Sequence, residues 1–239
     1  YSNREVKAFL DYRDFPYTEV SDDERSATVA SAIADGNIVG YMVGRMEYGP
    51  RSLGARSILG DARNADTQSI MNRKIKFRES FRPFAPSVLE ERSQAYFGLK
   101  TASPYMLLVA PVNEERRQNS DTDIPDDGDM LPLINRQRSD IPAVTHVDYS
   151  ARIQTVSPTE KPDYYAVIKE FERLTRYGLI VNTSFNVRGE PIVASPEDAY
   201  RCFMRTGIDM LVLENCILLK TEQPEFADDE NWREKYAVD

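Results

Sequence analysis

Histidine occurs once in the 239 residues, at His146, and cysteine twice, at Cys202 and Cys216. A multi-histidine metal centre and a multi-cysteine zinc site therefore cannot form within this chain, and no disulfide framework can staple it. His146 reads as a satisfied surface or strand residue. Each cysteine sits in an apolar stretch, which suits a small buried core residue better than a catalytic thiolate and fits a reducing, cytoplasmic compartment. No apolar run reaches the ~18 residues that a membrane helix needs. The start, Tyr1-Ser2-Asn3-Arg4, has neither a basic nor an apolar leader region, so no membrane association or export is expected. Methionine is missing from position 1, and the sequence is expected to be a piece of a longer protein.

What is present describes a folded domain. Hydrophobic residues make up 41 % and charged residues 29 %, too apolar a mix for a disordered chain. The length allows one domain with appendages: residues 1–20 as a linker from an upstream domain, 21–220 as the folded body, and 221–239 as an acidic tail. A net charge of −9 argues against a nucleic-acid binder. That sum conceals a local reversal, because residues 45–82 carry nine Lys and Arg against four acids. A basic island in an acidic chain suits a small-molecule phosphate better than a long polyanion, which the remaining surface would repel.

Periodicity and capping signals outline alternating helices and strands. Ser21 with Glu24 forms a capping box for a helix ending at Gly36, and Ile38–Met46 reads as a buried strand. Residues 49–57 read as an irregular loop, 66–76 as a helix with Ile70 and Ile75 inward, and Pro83 and Pro86 as breakers. Tyr105–Ala110 reads as a second buried strand, and residues 113–142 as a long surface insertion. Val144–Tyr149 and Ala151–Val156 follow as strand candidates. Tyr164, Val167, Ile168, Phe171 and Leu174 mark one face of a helix closed by Gly178, before a strand at Leu179–Asn182. Ser195, Pro196 and Asp198 signal another helix, ended by Gly207, with strands at Met210–Leu213 and Ile217–Lys220. This order predicts an α/β domain with a mixed sheet.

The chemistry concentrates in the basic island. Gly49 and Gly54 have the glycine spacing of a P-loop, but Ala55 and Arg56 stand where that motif requires Lys and Ser or Thr. Two flexible glycines still let backbone amides approach an anion, and Arg51 and Arg56 flank them with planar forks suited to phosphate oxygens. Lys74, Lys76, Arg78 and Arg82 then crowd into nine residues, interleaved with Phe77, Phe81, Pro83, Phe84 and Pro86. Clustered like charges repel, and an anionic ligand relieves them.

Gly44-Arg45-Met46-Glu47-Tyr48-Gly49-Pro50-Arg51-Ser52-Leu53-Gly54 resembles the C-terminal domain of the NodU/CmcH carbamoyltransferase family. So do Asn72 through Glu79, Phe81-Arg82-Pro83-Phe84-Ala85-Pro86, Asn182-Thr183-Ser184-Phe185-Asn186 and Gly189-Glu190-Pro191-Ile192. The resemblance covers roughly residues 20–220.

This resemblance implies a YrdC-like fold, a twisted, open mixed sheet with flanking helices and a concave basic face. It implies binding of carbamoyl phosphate and ATP, with Mg²⁺ accompanying the nucleotide, and formation of a carbamoyl adenylate. An upstream metal-dependent domain of the same protein would then carbamoylate an acceptor hydroxyl. Carried over residue by residue, Arg51, Arg56, Lys76 and Arg82 would handle carbamoyl phosphate and phosphate. Arg152, Asn182 and Ser184 would contact the nucleotide or the carbamoyl group, with Arg45, Lys74 and Arg78 as further candidates. No metal site is implied in this chain, and a homodimer is compatible with the reading. The alternative is a non-catalytic nucleotide- or RNA-binding module using the same basic face.

Overall fold

The computed structural model describes residues 1–118 and 136–226. Its first helix, α1 (Asn3–Tyr12), starts after Ser2, whose hydroxyl accepts from the Glu5 amide while the Glu5 carboxylate accepts from the Ser2 amide. The same reciprocal cap, Ser21 with Glu24, opens α2 (Asp22–Ala34). Each cap satisfies amides that a helix start leaves without partners. Helix α1 lies in the stretch read as a linker, yet Val6 and Leu10 are fully buried in the core. The Ser-x-x-Glu signal is as legible at Ser2 as at Ser21.

Nine strands form one mixed sheet among the described residues. Their order is β1 (Thr18–Glu19), β9 (Cys216–Leu219), β8 (Met210–Leu213), β2 (Val39–Met42), β3 (Arg56–Gly60), β7 (Leu179–Ser184), β4 (Ala85–Leu89), β6 (Ser150–Val156) and β5 (Leu108–Pro111). The β2–β8 and β4–β6 pairs are parallel and the other neighbours antiparallel. Four more helices complete the described body: α3 (Ala65–Lys74), α4 (Ser93–Phe97), α5 (Pro162–Thr175) and α6 (Pro196–Arg205).

Alternation along each strand divides the core between two faces. Val39, Tyr41, Leu59, Ile180 and Val212 meet Val29 and Ile33 of α2 and Tyr164, Val167 and Phe171 of α5. Met42, Ile58, Val88, Val181 and Leu211 face the other way, with Val6 of α1, Met71 of α3, Phe97 of α4 and Phe203 of α6. The expected α/β architecture, a mixed sheet with flanking helices, is the one that forms.

Several local expectations are corrected. The strand read as Ile38–Met46 ends at Met42, because Gly44 takes a positive φ of 70° and turns the chain into a loop. Strand β3 emerges from the predicted irregular stretch and is buried throughout. Pro86 lies inside β4, one of the central strands; pairing with β6 begins only at Ser87, so its missing N–H leaves no gap in that ladder. Strand β5 is an exposed sheet edge rather than a buried strand, with Val109 59 % accessible. The strand expected at Val144–Tyr149 is a 3₁₀ turn over Pro142–Val144 followed by a reversal. Leu174 is exposed, and Arg176, in the left-handed region at φ 70°, caps α5 in place of Gly178. Part of the predicted surface insertion is core, since Ser139 and Ile141 are fully buried. Residues 119–135 of that insertion and 227–239 of the acidic tail lie outside the described residues.

Candidate active site

The C-terminal end of β7 lies in the middle of the sheet, where Asn182, Thr183 and Ser184 come out from between β3 and β4. A loop from Val43 to Ala55 arches over this end. Its crest is stitched to the strands beneath by two side-chain amides. Asn182 Nδ2 donates to the Ser52 carbonyl at 3.0 Å, and Gln154 Nε2 on β6 donates to the Leu53 carbonyl at 3.0 Å. Gln154 Oε1 in turn accepts from Asn182 Nδ2 at 2.8 Å and from the Ser87 hydroxyl at 2.6 Å. From the loop's own side, the Glu47 carboxylate accepts from the backbone amides of Leu53 at 2.6 Å and Ala55 at 2.7 Å. Gly54, at φ 102°, lies so close to the Tyr164 ring that a Cβ there would approach it to 2.2 Å.

Between this loop, the end of β7 and the segment after α3 is a cavity of about 540 Å³, counting its open mouth. Its wall includes Arg51, Arg78 and Arg152, the polar groups of Ser52, Asn182, Thr183 and Ser184, and the apolar surfaces of Phe84 and Met106. No carboxylate belongs to that wall. Among the described residues neither Arg51 nor Arg152 makes a side-chain hydrogen bond or ion pair. Burial, and then the nearby Arg51 charge, push the Arg152 guanidinium below its ordinary range. Arg78 is pushed down to about 10 by burial and by Arg82 and Arg188. Its Nε donates to Asn72 Oδ1 at 2.6 Å and its guanidinium lies 5.0 Å from the Phe84 ring centre, so the fork is held in one orientation. Crowded guanidiniums without a compensating carboxylate favour an anion, for which paired hydrogen bonds from Arg are the strongest available contact.

The segment from Ile75 to Arg82 separates residues that stand close in sequence. Phe77 adopts φ 46°, a left-handed conformation uncommon for a bulky residue, and Lys76 and Arg78 leave it toward different surroundings. Lys76 is 4 % exposed. Its ammonium lies 2.5 Å from the Ser184 carbonyl oxygen, 2.9 Å from that of Asn186 and 2.8 Å from Asn186 Oδ1. It braces the end of β7 and is absent from the cavity wall. Asn72 organises the following turn, donating to the carbonyls of Ser80 at 3.0 Å and Arg82 at 2.8 Å.

Of the residues singled out in the sequence, Arg51, Arg78, Arg152, Asn182 and Ser184 meet in the wall. Arg56 does not. It is buried under the loop, where Nη1 donates to the carbonyls of Gly44 at 3.0 Å and Ala55 at 2.9 Å. Arg82 is half exposed beside Glu79 at 3.5 Å, and Lys74 and Arg45 are exposed. Ser52, Thr183 and Met106 are wall residues that sequence reasoning missed. Ser52 and Thr183 lie inside quoted motifs, whereas Met106 carries no sequence signal of its own. His146 is satisfied, as expected, by the Ser150 hydroxyl at 3.1 Å. Both cysteines are buried. Among the described residues no helix is long and apolar enough to cross a membrane, and no group of three or more His, Cys, Asp or Glu could hold a metal ion.

Comparison with known proteins gives this geometry a family. The family model described as the carbamoyltransferase C-terminus matches residues 30–220. An uncharacterized protein of Synechocystis sp. is 53 % identical over the whole chain, which spans 39 % of that protein. The 3'-hydroxymethylcephem-O-carbamoyltransferase of Streptomyces clavuligerus is 34 % identical over 78 % of the chain and 31 % of its own length. The chain therefore spans well under half the length of either relative. Among solved structures, Sua5 of P. abyssi complexed with L-threonine superposes with a TM-score of 0.51 at 13 % identity, covering 82 % of this chain and 48 % of that one. At that identity the likeness is one of fold, and it agrees with the expected YrdC-like architecture. By the extent of the family match and the relatives that share it, this chain belongs to the carbamoyltransferase C-terminal family.

Proposed function

We propose that this domain binds carbamoyl phosphate and ATP in the arginine-walled cavity and forms a carbamoyl adenylate, which an upstream domain of the longer protein passes to an acceptor hydroxyl. The observation that carries the reading is the convergence of Arg51, Arg78 and Arg152 on a cavity wall without a carboxylate. The family supplies the carbamoyl group, and the O-carbamoyltransferase relative supports an oxygen acceptor.

The chemistry asks for charge stabilisation more than for proton transfer. Water cleaves carbamoyl phosphate to carbamate and phosphate. A carbamate oxygen then attacks the α-phosphorus of ATP, and pyrophosphate leaves as the mixed anhydride forms. Arg51 and Arg152 would hold the phosphoryl oxygens, Arg78 the charge that develops as pyrophosphate departs, and the Thr183 and Ser184 hydroxyls the carbamoyl oxygen. Mg²⁺ would arrive bound to the triphosphate, whose charge it partly neutralises.

Exchange of labelled pyrophosphate into ATP tests this directly. Exchange that needs carbamoyl phosphate and falls in both Arg51→Met and Arg152→Met supports adenylate formation in this cavity. Exchange independent of carbamoyl phosphate, or unaffected by both substitutions, overturns it.

A further inference from the structure

The residues that bear on the cavity include some that never reach it. Gln154 is 1 % exposed and lies outside the wall, yet its amide joins three elements. It donates to Leu53 in the loop at 3.0 Å and accepts from Asn182 on β7 and Ser87 on β4. A buried glutamine in an interior strand costs stability unless its polar atoms are paired, and both the oxygen and the nitrogen are paired with the loop or with strands β4 and β7. Glu47 mirrors it from the loop. One carboxylate oxygen takes two amides two residues apart, at Leu53 and Ala55, while the other is buried without a partner. The loop crest is thus held from both sides, by a carboxylate on its amides and by Gln154 and Asn182 on its carbonyls.

The crest carries Arg51. The side chain is exposed and makes no hydrogen bond of its own, so its position follows from the backbone of residues 52–55. That backbone keeps it near Arg152, which shares the β6 face with Gln154, two residues away. Left to itself, mutual repulsion would drive these guanidiniums apart.

We propose that Gln154, together with Glu47, is a positioning residue: it clamps the 47–55 loop so that Arg51 is held opposite Arg152 as one half of an anion clamp. This rests on the proposed function for the identity of the anion, and stands apart from it for the loop itself. Preorganisation of this kind matters because a side chain ordered before binding does not lose that freedom on binding.

Two measurements on the whole chain decide the matter. Amide hydrogen exchange reports the loop without any ligand. Gln154→Met keeps the side chain's length and approximate volume but cannot donate to Leu53, and should raise exchange at residues 52–55 about tenfold while strands β3 and β7 keep their protection. Gln154→Asn, which keeps a buried amide but shortens its reach, serves if the Met variant does not fold. Unchanged loop exchange in a folded variant overturns the clamp. The second measurement is a double-mutant cycle on carbamoyl phosphate binding by calorimetry. Gln154→Met should weaken binding about tenfold alone and almost not at all once Arg51 is already Met, yet combine multiplicatively with Arg78→Met. Losses that multiply fully with Arg51→Met overturn the positioning role. A wild-type chain that binds no carbamoyl phosphate overturns the proposed function instead, and loop exchange then decides the clamp alone.

Discussion

Lys76 is tied to Ser184: its ammonium lies 2.5 Å from the Ser184 carbonyl oxygen and 3.3 Å from the hydroxyl. A residue that the sequence offers as a phosphate ligand thus points its donors at the end of β7. Burial pushes the ammonium down to about 7. In the unfolded chain a lysine titrates near ~10.4, so between those values the unfolded state binds more protons and stability rises with pH. Lys220, pushed down to about 8 by burial, acts in the same direction. Urea unfolding should show stability increasing from pH 7 to 9, and Lys76→Met should remove the larger part of that slope. A slope the same in both proteins would contradict this.

Arg152 should trade stability for binding. Its charge stands unpaired near Arg51, and a charge-assisted hydrogen bond to a ligand is worth roughly 1.5–3 kcal/mol, or about one to two decades of affinity. Arg152→Met should therefore weaken carbamoyl phosphate binding by about 10- to 100-fold, read by calorimetry. The melting temperature should hold or rise, because a like-charge repulsion is gone.

Arg56 should show the opposite balance. Its removal leaves the Gly44 carbonyl without its partner beneath the loop, strips one of two donors from the Ala55 carbonyl, which keeps the Val43 amide at 3.1 Å, and takes a compensating charge from near Glu47. Arg56→Met should cost roughly 2–4 kcal/mol in denaturant unfolding. Ligand affinity, measured well below the transition, should fall less than in Arg51→Met.

Gly54 leaves no room for a methyl group. A Cβ would come within 2.2 Å of Tyr164, and φ 102° disfavours any L side chain. Gly54→Ala should lose about 1–3 kcal/mol of stability. Hydrogen exchange should show the damage centred on residues 47–57 and on α5 around Tyr164.

Helix α1 should prove integral to the fold. Leu10 is fully buried, and Leu10→Ala should cost about 2–5 kcal/mol in unfolding experiments. A cost near zero would mean that the helix docks only loosely.

Much of the frame was legible in the sequence because its signals are local. The Ser21–Glu24 cap, the apolar face from Tyr164 to Phe171 and the Ser195–Asp198 cap each act within one or two turns, and the helices they announce are present. Strands β3 and β4 were missed for a matching reason. Their local signals, a glycine- and arginine-rich stretch and a pair of prolines, argue against strand, and only pairing with neighbours on both sides, β2 and β7 for β3 and β7 and β6 for β4, overrides them.

The motifs of the basic island were enough to indicate the carbamoyltransferase family, since residue order survives without coordinates. Which basic residues share a cavity is a different kind of fact. Arg51 and Arg152 are 101 positions apart and meet only because β6 runs beneath the loop, while Lys76 and Arg78 are neighbours that part at Phe77. Gln154 had no sequence signal at all. A lone glutamine acquires meaning only from the carbonyl it reaches, and that carbonyl belongs to a loop that tertiary folding brings to it.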